Sequence, residues 1–252
     1  MGEPPAALWR ARVLALALIA LAGWQVARSE AAAPAFPASG RVRFAVSVAG
    51  GLGIGRAEHG WRIEAGRYRL HSTLEATGVM ALFKPERLLQ ESEGRYDAAG
   101  FAPLRFRVIR NGKPAERADF DRARGLVRLE HRDRVWEAAV ARGAQDVLSV
   151  FYQVALFPPA AAGFEADVAT GKGAYRRVFR RIGEERIELP VGELRTLKVR
   201  AEQADGERID LWLALDRNRL PVRIRMVDRK GNAVEQQAVE IDVPDPGSGA
   251  SS

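Results

Sequence analysis

The 252-residue chain contains no cysteine. That excludes disulfides, zinc–thiolate and iron–sulfur centres, a thiol nucleophile and the lipid-modified cysteine of bacterial lipoproteins. Histidine is nearly absent too. His59, His71 and His131 fall on three separate predicted strands without metal-ligand spacing, so no metal site and no cofactor is expected. His59 reads as a surface or cavity-mouth residue, because its neighbour Glu58 points to the opposite face of a strand and cannot orient it. No Gly-x-Ser-x-Gly elbow occurs, and the glycine run Gly50–Gly55 lacks the following Lys-Ser/Thr of a phosphate cradle and reads as a hairpin. No catalytic constellation emerges, and the chain is expected not to be an enzyme. A hydrolase acting on cell-wall or lipid esters ranks below a binding or docking role.

Long apolar runs are scarce, with one exception. Arg10 and Arg12 precede the apolar segment Val13–Gly23, and Ala31-Ala32-Ala33 supplies small residues for cleavage, which together form an export signal over residues 1–33. The uncharged stretch between Arg12 and Arg28 is 15 residues, short for a membrane span. The expected address is periplasmic or exported, with the segment either cleaved or kept as an N-terminal anchor. Residues 34–40 read as a linker, 41–243 as one domain and 244–252 as a disordered Pro/Gly/Ser tail.

Charge is abundant but mixed. The chain has 39 basic and 32 acidic residues, a net +7, and all but five of the basic residues are arginine. Acids are interspersed almost everywhere, which suits solubility. In an envelope the surplus favours anionic headgroups or acidic polysaccharide; no nucleic-acid-binding motif accompanies it, so nucleic acid is not an expected partner.

Period-2 alternation dominates from Arg41 onward. Val42, Phe44 and Val46 oppose Arg41 and Arg43; Leu104, Phe106 and Val108 oppose Arg105 and Arg107; Val222, Ile224 and Met226 oppose Arg223 and Arg225. Turn pairs such as Ala65-Gly66, Asn111-Gly112 and Asp205-Gly206 separate such runs. One segment, Gln145–Phe157, switches to helical spacing, with Asp146 placed to cap it and Pro158-Pro159 to stop it. About a dozen strands and one helix of about three turns predict a mainly β fold, a curved antiparallel sheet forming a barrel or near-barrel. An outer-membrane barrel is disfavoured, since aromatic girdles and a final aromatic strand are missing.

Aromatic residues carry the binding expectation. Trp61, Phe83, Trp136, Tyr152 and Trp212 are candidates to line an apolar interior, and Arg105, Arg107, Arg223 and Arg225 to form its basic rim. Core packing under the helix explains the tryptophans equally well. The first reading is a non-enzymatic envelope protein that binds a lipid, glycolipid or other amphipathic component. The second is an interaction protein docking on an envelope partner.

Three stretches carry a resemblance. Gly55-Arg56-Ala57-Glu58-His59-Gly60-Trp61, Gln145-Asp146-Val147-Leu148-Ser149 followed by Tyr152-Gln153, and Trp212-Leu213-Ala214 with Leu220-Pro221-Val222-Arg223-Ile224 resemble the domain-of-unknown-function family 3108 of exported bacterial proteins. The resemblance covers nearly all of Arg41 to Val243. It implies an all-β envelope protein and brings no activity, cofactor or catalytic residue with it.

Overall fold

The computed structural model describes residues 36–48, 51–78, 81, 85–156, 158, 161–203 and 205–244. The export segment, Gly50, most of the patch Val79–Phe83 including Phe83, and the tail from 245 lie outside the described residues.

Among the described residues fifteen strands form one sheet. The first eight are β1 (Ser39–Val48), β2 (Gly53–Glu64), β3 (Arg67–Ala76), β4 (Arg87–Asp97), β5 (Gly100–Arg110), β6 (Lys113–Asp121), β7 (Leu126–His131) and β8 (Arg134–Ala139). The rest are β9 (Gln145–Asp146), β10 (Gly163–Thr170), β11 (Gly173–Leu189), β12 (Gly192–Glu202), β13 (Arg208–Ala214), β14 (Leu220–Val227) and β15 (Ala233–Asp242). Each half runs as a meander, and antiparallel pairing of β1 with β15 joins the halves. The edges β8 and β9 do not pair with each other, so the curved sheet is a near-barrel with an open seam.

Local chemistry writes most of this. In β1 the inward Val42, Phe44 and Val46 are buried while Arg41 and Arg43 stay outside, as the pleat requires. Ala65-Gly66 and Asn111-Gly112 take positive φ at both positions, the geometry that matches a two-residue hairpin to strand twist. β5 departs from simple alternation. Its register against β4 shifts at Glu93/Gly94, which turns Pro103 inward and leaves Leu104, expected inside, 39% exposed. Gly94 permits the shift, because a Cβ there would sit 2.2 Å from the Ala102 carbonyl oxygen.

The outer face is a lattice of guanidinium and carboxylate groups. Arg43 bridges Glu58 and Glu240 at 2.9 and 2.7 Å, and Arg105 bridges Glu93 and Asp119 at 3.1 and 3.2 Å.

The inner face holds the core and the helix. The helical segment is α1 (Ser149–Gln153) followed by a 3-10 turn at Val154–Leu156, shorter than the three turns expected. Gln145 and Asp146 are drawn instead into a parallel pairing with Val168 and Ala169 of β10. Opposite, the β10–β11 turn seats on β6 and β7: a Cβ on Gly171 would meet the Glu130 oxygen at 2.5 Å, and Lys172 reaches the inward carboxylate of Glu116 at 2.8 Å.

Candidate functional site

The site is built around the start of α1. Asp146 Oδ1 accepts hydrogen bonds from the amides of Leu148 and Ser149 at 2.9 and 2.8 Å, satisfying donors that a helix start leaves open. The Asp146 amide donates to Ser149 Oγ at 3.0 Å. Ser92 donates to Asp146 Oδ2 at 2.5 Å, and the Tyr68 hydroxyl lies 2.9 Å from Ser92 Oγ. All five residues are buried. Burial pushes the Asp146 carboxyl up to about 6, against the pull of the hydrogen bonds from Ser92, Ser149 and Leu148. The capping role expected of Asp146 is what the geometry gives it, and Ser149 is spent on the same turn.

Two glutamines then clamp β5 to the helix. Gln153 Oε1 accepts the Phe101 amide at 2.7 Å, and Gln145 Nε2 donates to the Phe101 carbonyl at 2.8 Å. Gln145 Oε1 is buried without a partner among the described residues.

Beside this clamp is an aromatic cluster. Tyr152 meets Phe36 and Trp61 at ring-centroid separations of 5.9 and 5.8 Å. Trp61 donates its indole N–H to the Pro37 carbonyl at 2.9 Å. His59 Nδ1 lies 3.0 Å from the Tyr152 hydroxyl, with the Phe44 ring 4.8 Å away. His59 is therefore a core histidine at 2% exposure, not the surface or mouth residue expected, because α1 lays Tyr152 over the inner face of β2. Burial holds its imidazole down at about 3, with the charge of His71 adding to the shift and a hydrogen bond with Gln236 opposing it.

The candidate binding residues separate into groups. Trp61 and Tyr152 come together in the core, filling interior space expected to admit an apolar chain. Trp136 sits half-buried on the edge strand β8 with the Arg134 guanidinium 5.3 Å above its ring. Trp212 lies between Lys198 and Arg223, 4.7 and 4.5 Å from its ring, and its indole N–H donates to Glu185 at 2.5 Å. The four arginines do not ring a mouth. Arg105 pairs as above, Arg107 holds Glu91 at 3.2 Å, Arg223 holds Glu235 at 2.9 Å, and Arg225 stands in register between Asp210 and Glu235. Alternation had placed them opposite the apolar face, and that face is the core.

A concavity opens at the barrel end where the β4–β5 and β6–β7 turns meet the link from β8 to β9. Its volume is about 940 Å³. Phe101, Phe120 and Phe164 line it, with Gln145 in its wall, the exposed Arg142 along it, and the exposed Arg124 beside it at 3.9 and 3.7 Å from Asp121 and Glu137. Arg122 also lines it but is committed to structure, donating to the carbonyls of Pro103 and Ala144. Among the described residues no group of three or more acidic or histidine side chains could hold a metal ion. Sequence reasoning missed Phe101, Phe120 and Arg142, whose only signal was position beside Gly-rich turns.

The fold and site define a class: an antiparallel near-barrel that caps and clamps a short internal helix and opens through a cleft at one end. The chain belongs to the family described as "Protein of unknown function (DUF3108)", whose profile matches residues 43–237. No curated protein matches it. Among solved structures it is similar to a crystal structure from Parabacteroides distasonis ATCC 8503 described as a "putative lipoprotein", at 10% identity over 82% of this chain and 97% of that one, with a TM-score of 0.35.

Proposed function

We propose that this protein is a non-enzymatic component of the cell envelope that binds an amphipathic molecule, a lipid or glycolipid, in the end cleft. One observation carries the reading: a cleft of about 940 Å³ joins three phenylalanines to exposed arginines and to an unpartnered buried acceptor, Gln145 Oε1. Phenyl rings suit an acyl chain, arginines suit an anionic headgroup, and the amide oxygen suits a hydroxyl donor. The export signal in residues 1–33 supports the address. Ligand entry at the end cleft replaces the interior route, since core side chains occupy the interior.

The test is native mass spectrometry with lipid extraction on protein purified from its own envelope fraction. A co-purifying lipid that is lost from Arg124→Glu/Arg142→Glu, and kept by a Trp212→Leu control, supports the reading. A mass without ligand, together with no uptake of added envelope lipid extract, counts against it.

A second reading, docking on an envelope protein, draws on strand β8. Among the described residues one side of β8 has no strand partner, and Val135 on it is 51% exposed. Pull-down of a partner that is lost when β8 carries Val135→Pro would favour it.

A further inference from the structure

Where β2, β3 and β4 run side by side, arginines without carboxylate partners cluster on the outer face. Arg62 of β2 stands directly opposite Arg69 of β3, and Arg67 of β3 directly opposite Arg95 of β4. Like charges in direct cross-strand register destabilise a sheet. Like charges meet in register elsewhere too, Arg107 with Arg117 and Arg180 with Arg200, but in each of those pairs at least one guanidinium holds a carboxylate, whereas among the described residues none of these four side chains has a hydrogen bond or ion pair. Nearby Glu93 is already held by Arg105 at 3.1 Å. With Arg105 these make five arginines against two carboxylates, Glu64 in register with Arg67 and Glu93 in register with Arg69, in and around a shallow depression of about 510 Å³ that also contains the exposed Leu104.

The position of the patch narrows its occupant. Ser39, near the start of the described chain, pairs with Arg62, so the described chain begins at this end. The β4–β5 turn that borders the end cleft is at the same end.

We propose that the Arg62, Arg67, Arg69 and Arg95 face docks the protein on an anionic phospholipid surface, with Leu104 reaching the headgroup layer. Basic side chains held near a membrane are attracted by the negative potential of acidic lipids, and the attraction fades within a Debye length. The repulsion built into the unpaired arginines is relieved when phosphates lie over them. This surface is separate from the end cleft, so either assignment can fail without the other.

The absence of cysteine makes the test clean. Full-length Leu104→Cys carries one environment-sensitive fluorophore and is mixed with phosphatidylcholine vesicles with or without phosphatidylglycerol, flotation reporting how much protein is vesicle-bound. On phosphatidylglycerol vesicles the emission should shift to the blue and be quenched by brominated lipid. On phosphatidylcholine alone it should not shift, even where the N-terminal segment holds the chain to the vesicle. Arg62→Gln/Arg67→Gln/Arg69→Gln/Arg95→Gln should lower the docked-to-undocked ratio about a hundredfold or more, each charge counting for roughly fivefold. Removing like-charge pairs should leave its thermal midpoint unchanged or raised, which separates lost docking from lost folding. Arg128→Gln/Arg180→Gln, two exposed arginines elsewhere, should dock normally. Equal shifts on both vesicle types, a shift retained by the quadruple variant, or a saturable response to inorganic phosphate without vesicles would each overturn the proposal.

Discussion

His59 Nδ1 and the Tyr152 hydroxyl lie 3.0 Å apart although 93 residues separate them, and both are sealed from solvent. This bond fastens the internal helix to the inner face of β2. Tyr152→Phe removes one partner and leaves a buried ring nitrogen unpaired. The expected loss is about 1–3 kcal/mol, read as a lower urea midpoint with an unchanged slope. An unchanged midpoint would show that the bond contributes nothing net.

Asp146 and His59 should oppose each other in pH dependence. The folded state holds the Asp146 proton up to about 6, above its ordinary 3.8, so this contribution to stability is present at low pH and lost as pH rises through that range. The folded state holds His59 neutral down to about 3, below its ordinary 6.5, so its contribution is present at high pH and lost as pH falls. Between about pH 4 and 6 the slopes cancel. Relative to the parent chain, His59→Gln should therefore lose about 1.4 kcal/mol per pH unit as pH rises across that window, and Asp146→Asn should gain as much. Denaturation at four pH values checks both signs, and parallel curves would refute the assignment.

Gly171 is required for closeness, since its Cβ would lie 2.5 Å from the Glu130 oxygen and 2.8 Å from the Arg117 amide nitrogen. Gly171→Ala should push the β10–β11 turn off β6 and β7 at a cost of about 1–3 kcal/mol. Hydrogen exchange should quicken in β6 and β7 while β13 and β14 keep their protection. Uniform change across the sheet would mean that the turn is not a local brace.

Trp212 is predicted to couple energetically to Arg223, whose guanidinium carbon lies 4.5 Å from its ring centroid. A double-mutant cycle of Trp212→Leu and Arg223→Ala should return about 0.5–2 kcal/mol. Arg223→Lys should retain only part of it, because an ammonium does not stack as a planar guanidinium does. A coupling of zero would reduce the arrangement to coincidence of register.

Legibility in the sequence followed the range of the interaction. Alternation in β1 and β14 and the turn glycines are local signals, and the strands formed where they said. The cap at Asp146 is local too, but the helix is shorter because β10, more than twenty residues on, competes for Gln145 and Asp146. Leu104 faces outward because a register shift against β4 reset the count, which period-2 reading cannot foresee. Alternation assigned Arg105, Arg107, Arg223 and Arg225 to one face correctly, yet nothing local told a rim from an outer lattice. The meeting of His59, Trp61 and Tyr152, and the cleft floor of Phe101, Phe120 and Phe164, depend on where distant strands come to lie.

The open seam has a consequence for how the chain finds its fold. Every antiparallel pairing joins strands consecutive in the chain except β1 with β15, where Arg41 meets Asp242 across some two hundred residues. That closure bears the largest loop entropy of any strand pairing, so it should form last. A circular permutant that links the end of β15 to the start of β1 and is opened between β8 and β9 would break no pairing and make every antiparallel neighbour sequential. Such a chain should reach the native sheet faster than the natural order does, with the same strands in the same places.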